Sequence, residues 1–135
     1  MSFRAPDRRS SMPSITQVAT VVVPVSDQER ALAFYCDVLG LEKVNDFTYE
    51  TGERWVEVAP AGAGTRISLV VGQAGVETGV ALGSADVDAD RDALDGQTVP
   101  TGEVTWWAGA PLAGFPTQFL VRDPDGNSLL IVAAP

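Results

Sequence analysis

The stretch Val121-Arg-Asp-Pro-Asp-Gly-Asn-Ser-Leu-Leu-Ile-Val132 decides the fold. Asp123-Pro-Asp-Gly126 carries turn chemistry, because aspartate bonds its own backbone and glycine takes a positive φ at no steric cost. Apolar residues run up to this turn and away from it, so the segment predicts a hairpin of Thr117–Arg122 with Ser128–Ala133. Far upstream, Ser26-Asp-Gln-Glu-Arg-Ala-Leu-Ala-Phe-Tyr-Cys-Asp-Val-Leu-Gly-Leu41 predicts one amphipathic helix. Ser26 or Asp27 is its N-cap and Glu29 lies in its first turn. Ala31, Leu32, Phe34, Tyr35, Val38 and Leu39 form its apolar stripe, and Gly40 ends it.

Around these two anchors the chain reads as strand, helix and three strands, twice. Val18–Val23 is β-branched and continuous, which predicts a strand covered on both faces. Strands at Leu41–Tyr49, Arg54–Ala59 and Thr65–Val71 follow, separated by Thr51-Gly52 and Pro60-Ala-Gly-Ala-Gly64. The second half repeats the order with a strand at Val80–Leu82, an acidic helix over Asp86–Leu94, a strand at Glu103–Trp107 and the final hairpin. The class is α+β. One domain spans residues 14–135, with a first module over about 15–72 and a second over about 78–134. Residues 1–13 mix charge, serine and proline without a period and read as a mobile tail. Arg8-Arg9 suggests an export signal, but the apolar stretch behind it is short, holds Thr20 and Pro24, and lacks a small-residue cleavage site.

Composition narrows function. At 135 residues, 45% apolar and 20% charged, the chain suits a soluble globular domain. The net charge of −9 argues against nucleic acid, and no apolar run reaches membrane-spanning length. An acidic surface favours neutral or cationic small molecules, or is simply a solvated exterior. The single Cys36 precludes an internal disulfide and suits a reducing cytoplasm. It lies in an apolar helical setting, as a buried structural thiol would. There is no histidine at all, which removes Ser-His and Cys-His nucleophile pairs and the commonest nitrogen donor for transition metals.

Ala31-Leu-Ala-Phe-Tyr35 with Leu39-Gly40, and Asp123-Pro-Asp-Gly126 in their order within a doubled βαβββ pattern, resemble the vicinal oxygen chelate superfamily. This family holds glyoxalases, bleomycin-resistance proteins, extradiol dioxygenases and fosfomycin-modifying enzymes. The resemblance covers residues 15–134 and implies two βαβββ modules, each a curved sheet, building a cup around a ligand. It also implies four metal-ligand positions, which fall here on Gln17, Ser68, Gly79 and Leu130. Equivalent positions of the two modules are then both offset by 62 residues. Glutamine, serine, glycine and leucine do not form a divalent-metal site, although Gln17 offers one weak carbonyl oxygen. No metal and no cofactor are therefore expected, and metal-dependent glyoxalase or dioxygenase chemistry is disfavoured. The family's bleomycin-resistance members, acidic metal-free dimers that sequester a cationic drug, imply a homodimer here too.

The candidate ligand-binding residues are Gln17, Trp55, Glu57, Arg66, Ser68, Trp106, Trp107 and Phe119. Trp55 and Glu57 alternate on one strand face, so burial against the indole would raise the Glu57 pKa as a general base requires. Glu57 is otherwise a solvated strand residue. Arg66 and Ser68 share a face that points to a wet cavity, while Ile67, Leu69 and Val71 point to the helix layer. Adjacent Trp106 and Trp107 point to opposite faces, so one of them lines the cup or a dimer contact and the other packs in the core. Phe115 lies in the Gly/Pro-rich loop beside them. Two functions are consistent with this set. One is metal-free binding of a small cationic or aromatic molecule, serving sequestration, resistance or carriage. The other is a lyase, isomerase or dioxygenase with atypical ligands or acid–base chemistry at Glu57.

Overall fold

The structure is a computed structural model that describes residues 11–102 and 117–134. In the first module β1 (Thr20–Val25) leads into α1 (Gln28–Leu32), then β2 (Glu42–Thr48), β3 (Arg54–Ala59) and β4 (Arg66–Val71). β1 pairs parallel with β4, and β3 lies antiparallel between β4 and β2, giving the order β1-β4-β3-β2. The second module contributes β5 (Glu77–Ser84), α2 (Val87–Gly96), β6 (Gln118–Arg122) and β7 (Ser128–Ala133). These strands form the order β5-β7-β6, with β5 parallel and β6 antiparallel to β7. This is the α+β class that the sequence predicts. The strand expected at Glu103–Trp107 lies outside the described residues.

Both helices start where an aspartate meets their free amides. Asp27 accepts from the Glu29 and Arg30 N–H, and Asp86 accepts from the Ala89 N–H. α1 then widens into a π-helical segment, Ala33–Val38, closed by the Leu39 N–H bonding the Phe34 carbonyl at 3.0 Å. Gly40 follows at φ +79°, a left-handed value that a Cβ would strain. The wider turn brings adjacent Phe34 and Tyr35 both into the core, with rings edge to face at 5.3 Å. Buried Gln28 ties this helix to its sheet, donating to the Arg54 and Leu69 carbonyls at 2.7 and 3.0 Å.

Several boundaries differ from those the sequence suggests. β1 begins at Thr20 rather than Val18 and is covered on one face only: Val23 and Val25 are buried while Val22 is 51% exposed. It is an edge strand, and its second face is open. β5 is longer than Val80–Leu82 because Thr78, Gly79 and Gly83 interrupt the apolar pattern without ending the strand. Val71 ends its strand 63% exposed rather than in the helix layer, and Cys36 is only partly buried. The core is one cluster drawn from both modules, with Val23, Val25, Phe34, Tyr35, Val56, Leu69, Leu94, Phe119, Val121 and Ile131 among its members.

The modules are also joined through polar atoms at the Asp123–Asn127 turn. Its Gly126 N–H bonds the Asp123 carbonyl at 2.9 Å, and Gly126 takes φ +81°. The fully buried Tyr35 hydroxyl donates to Asp123 Oδ2 at 2.8 Å. The backbone N–H groups of Asp125 and Asn127 fill Oδ1, and Asn127 Nδ2 adds a second bond to Oδ2. Four donors thus surround one buried carboxylate. Burial raises the Tyr35 pKa, and the neighbouring Asp123 charge adds to the shift, so the phenol stays a donor. Asn127 spends its remaining capacity on the Pro24 carbonyl and on the Gly75 and Val76 N–H groups, all outside the turn. Asp125 accepts from the Ser26 hydroxyl and from Arg30 at the surface.

Asn127→Ala strips the four bonds of the amide side chain and leaves buried partners unmatched, so it should cost about 3 kcal/mol. Arg30→Ala breaks only a half-exposed ion pair and should cost less than about 1 kcal/mol. Urea unfolding of the two variants checks this; equal losses would mean that the turn is not a junction.

Candidate functional site

Strand pairing assigns each side chain of the first sheet to a face. Val21, Val23, Val56, Val58, Ile67 and Leu69 turn towards α1 and the core. The opposite face, the cup face, carries Asn45, Glu57, Ser68 and Val22 in one row across all four strands. Phe47 and Trp55 pair beside this row, and Thr20 pairs with Arg66 on its other side. Phe47 is 53% exposed and meets Tyr49 edge to face at 4.8 Å, so an aromatic flank borders a polar centre.

That centre is a connected network. Thr20 and Ser68 hydroxyls bond at 2.5 Å, and Ser68 donates to Glu57 Oε2 at 3.1 Å. Asn45 donates to Glu57 Oε1 at 3.2 Å, and the Trp55 side chain donates to the same carboxylate. Arg66 stands 3.6 Å from Oε1. Glu57 is therefore buried as expected, but its pKa moves the opposite way. Burial pushes it up, yet bonds from Asn45, Ser68 and Trp55 together with the Arg66 charge outweigh that and hold it below the usual carboxylate range. A carboxylate so filled with donors makes a poor proton acceptor. The general-base role expected for Glu57 loses its physical basis. Ser68, expected to face a wet cavity, is instead fully buried beneath this network.

Trp55, Glu57, Arg66 and Ser68 thus come together on one face. Two other candidates do not join them. Phe119 is 1% exposed and packs in the core, because it shares the apolar face of β6 with Val121, opposite Gln118 and Arg122, and meets Ile131 there. Gln17 lies exposed ahead of β1, beside Gly64. Trp106, Trp107 and Phe115 lie outside the described residues. Thr20 and Asn45 are cup-face residues that the sequence reading overlooked. An alternation count from Val22 would have found Thr20; the register irregularity between Lys43 and Asn45 hides the second.

The pairing also corrects the alignment of the modules. Val22 pairs with Ser68 in the first sheet, and Ala81 pairs with Leu130 in the second. Ala81 is therefore the equivalent of Val22. Thr20 and Gly79 each stand seven residues before the aspartate that caps the following helix, so Gly79 is the equivalent of Thr20, not Gln17. The four positions become Thr20, Ser68, Gly79 and Leu130. Two hydroxyls already bonded to each other, one residue without a side chain and one hydrocarbon do not fit a divalent cation. Among the described residues no three Cys, Asp or Glu side chains gather as a metal site. No described helix is long and apolar enough to cross a membrane.

Residues 17–131 match the model of the Glyoxalase/Bleomycin resistance protein/Dioxygenase superfamily, and the chain belongs to that family. Among solved structures it is similar to TnmS3, an antibiotic binding protein from Streptomyces sp. CB03234. The identity is 32%, over 92% of this chain and 100% of that one, with a TM-score of 0.76. A superfamily member from Sphaerobacter thermophilus DSM 20745 is 31% identical over 88% of this chain and 98% of its own, with a TM-score of 0.78. A curated relative, the uncharacterized protein YetH of Bacillus subtilis (strain 168), is 38% identical over 55 residues. That match covers 41% of this chain and 46% of that relative.

The lowered Glu57 pKa fixes the sign of a pH effect. Its bonds stabilise the fold above the unfolded value of about 4.3, and that contribution disappears as pH falls through the lower folded value. Glu57→Gln should therefore lower the Tm near neutrality and flatten its decline below about pH 4. A Tm profile parallel to that of the unaltered protein across this range would contradict the assignment.

Proposed function

We propose that the protein binds a small aromatic molecule on its cup face without a divalent metal, acting in the cytoplasm by sequestration, resistance or carriage. One observation carries this reading. Where the family places metal ligands, this chain has Thr20, Ser68, Gly79 and Leu130, and the two hydroxyls belong to a network anchored on Glu57. Metal-dependent glyoxalase or dioxygenase turnover then lacks its Lewis acid. Acid–base chemistry at Glu57 is disfavoured by the four groups already crowding its carboxylate. The aromatic flank of Trp55 and Phe47 suits a planar ligand. The likeness to TnmS3, described as antibiotic binding, favours the same class of role.

The cup face of one sheet is a wall rather than an enclosure. Val22, Phe47 and Tyr49 are 51%, 53% and 47% exposed, and β1 and β2 are the edges of their sheet. A homodimer would cover such surface and deepen the cup. Light scattering should give about 28 kDa, twice the 14.2 kDa chain. A monomer at all micromolar concentrations would contradict it.

Binding itself is tested by a thermal-shift and fluorescence screen of planar aromatic compounds. Trp55→Leu should weaken any hit about tenfold, from lost stacking and lost buried area. Unchanged affinity would remove Trp55 from the site.

A further inference from the structure

Net charge led to the expectation of a neutral or cationic ligand; the groups within reach on the cup face argue against a cation. Strand positions on this face carry three charges among the described residues: Glu42 at the outer end of β2, Glu57 and Arg66. The Glu57 side chain is 8% exposed, with Oε1 accepting from Asn45 and Oε2 from Ser68. Little of its oxygen surface is left for a ligand. Arg66 is the reverse case. Its side chain is 49% exposed and its nearest approach to Glu57, 3.6 Å, exceeds hydrogen-bond length. Among the described residues its guanidinium makes no hydrogen bond, so the N–H groups of its planar fork remain to be used.

We propose that Arg66 is the specificity-determining residue of the cup, held by the Glu57 charge, and that it selects aromatic ligands bearing acceptor oxygens, carbonyl or carboxylate, over aromatic cations. The proposal rests on the binding function above and names its ligand class. Two features of guanidinium suit this role: it donates two parallel bonds to a carboxylate or one strong bond to a carbonyl, and it stacks on rings. Glu57 acts as a positioning residue, because a buried carboxylate already supplied with donors attracts the cation without consuming its N–H groups.

Three probes of one ring system test it: 2-naphthoate, 2-acetylnaphthalene and 2-naphthylmethylammonium, titrated at about 0.15 M salt to limit long-range attraction by the acidic protein. The first two should bind more tightly than the third, against the net charge of −9. Arg66→Met, which keeps the stem and removes the donors, should weaken both acceptor probes about tenfold or more and leave the ammonium probe no weaker. Arg66→Lys should restore part of the 2-naphthoate affinity, and an unchanged Tm in both variants would confirm that the fold survives. Tighter binding of the ammonium probe, or acceptor affinity that depends on Trp55 but not on Arg66, would overturn this proposal alone. No binding of any probe up to millimolar concentration would overturn it together with the binding function.

Discussion

A carboxylate taken out of water must be met by donors, and two of the described carboxylates that meet this requirement organise the molecule. Asp123 is surrounded by the Tyr35 hydroxyl, two turn amides and the Asn127 amide. Glu57 is surrounded by Asn45, Ser68, Trp55 and Arg66. An unmatched buried charge would cost several kcal/mol, so both neighbourhoods are strongly constrained. The first constraint links the modules through the core side of the molecule. The second organises the face on which a ligand would lie. No described buried side-chain polar atom is left without a partner.

The two networks divide structure from function. The Asp123–Asn127 turn looks from its composition like an ordinary hairpin connection, yet its side chains reach Tyr35, Pro24 and the Gly75-Val76 segment. Its aspartate and asparagine serve the junction between modules and not a ligand. Around Glu57 the described polar groups of the cup face are likewise bonded among themselves, while the Arg66 fork keeps its donors. A preformed, internally bonded centre loses little order when a flat molecule settles on it, which suits binding more than proton transfer.

Much of this was legible in the sequence. Arg54–Ala59 and Ser128–Ala133 fall where alternation and turn residues place them, and the Asp27 cap and Gly40 stop frame the first helix. Trp55, Glu57, Arg66 and Ser68 share a face because a strand has a period of two. What failed depended on packing. Phe119 is the exception: it shares a face with Val121, opposite Gln118 and Arg122, so alternation alone would have turned it inward. The π-helical widening that buries both Phe34 and Tyr35 has no compositional mark. Gln17 stood in for Thr20 because the equal spacing of Thr20 and Gly79 from the helix caps shows only once Asp27 and Asp86 are fixed as those caps. The direction of the Glu57 shift needed a count of donors, which only the tertiary structure supplies.

The central claim is that this member of the superfamily binds with its own side chains in place of a metal. Calorimetric titration of 2-acetylnaphthalene into protein stripped with a chelator tests it most directly, repeated after adding one equivalent of zinc, nickel or manganese. The account predicts the same affinity and stoichiometry in every case. Binding that appears only with a metal ion held at about one per chain would contradict it.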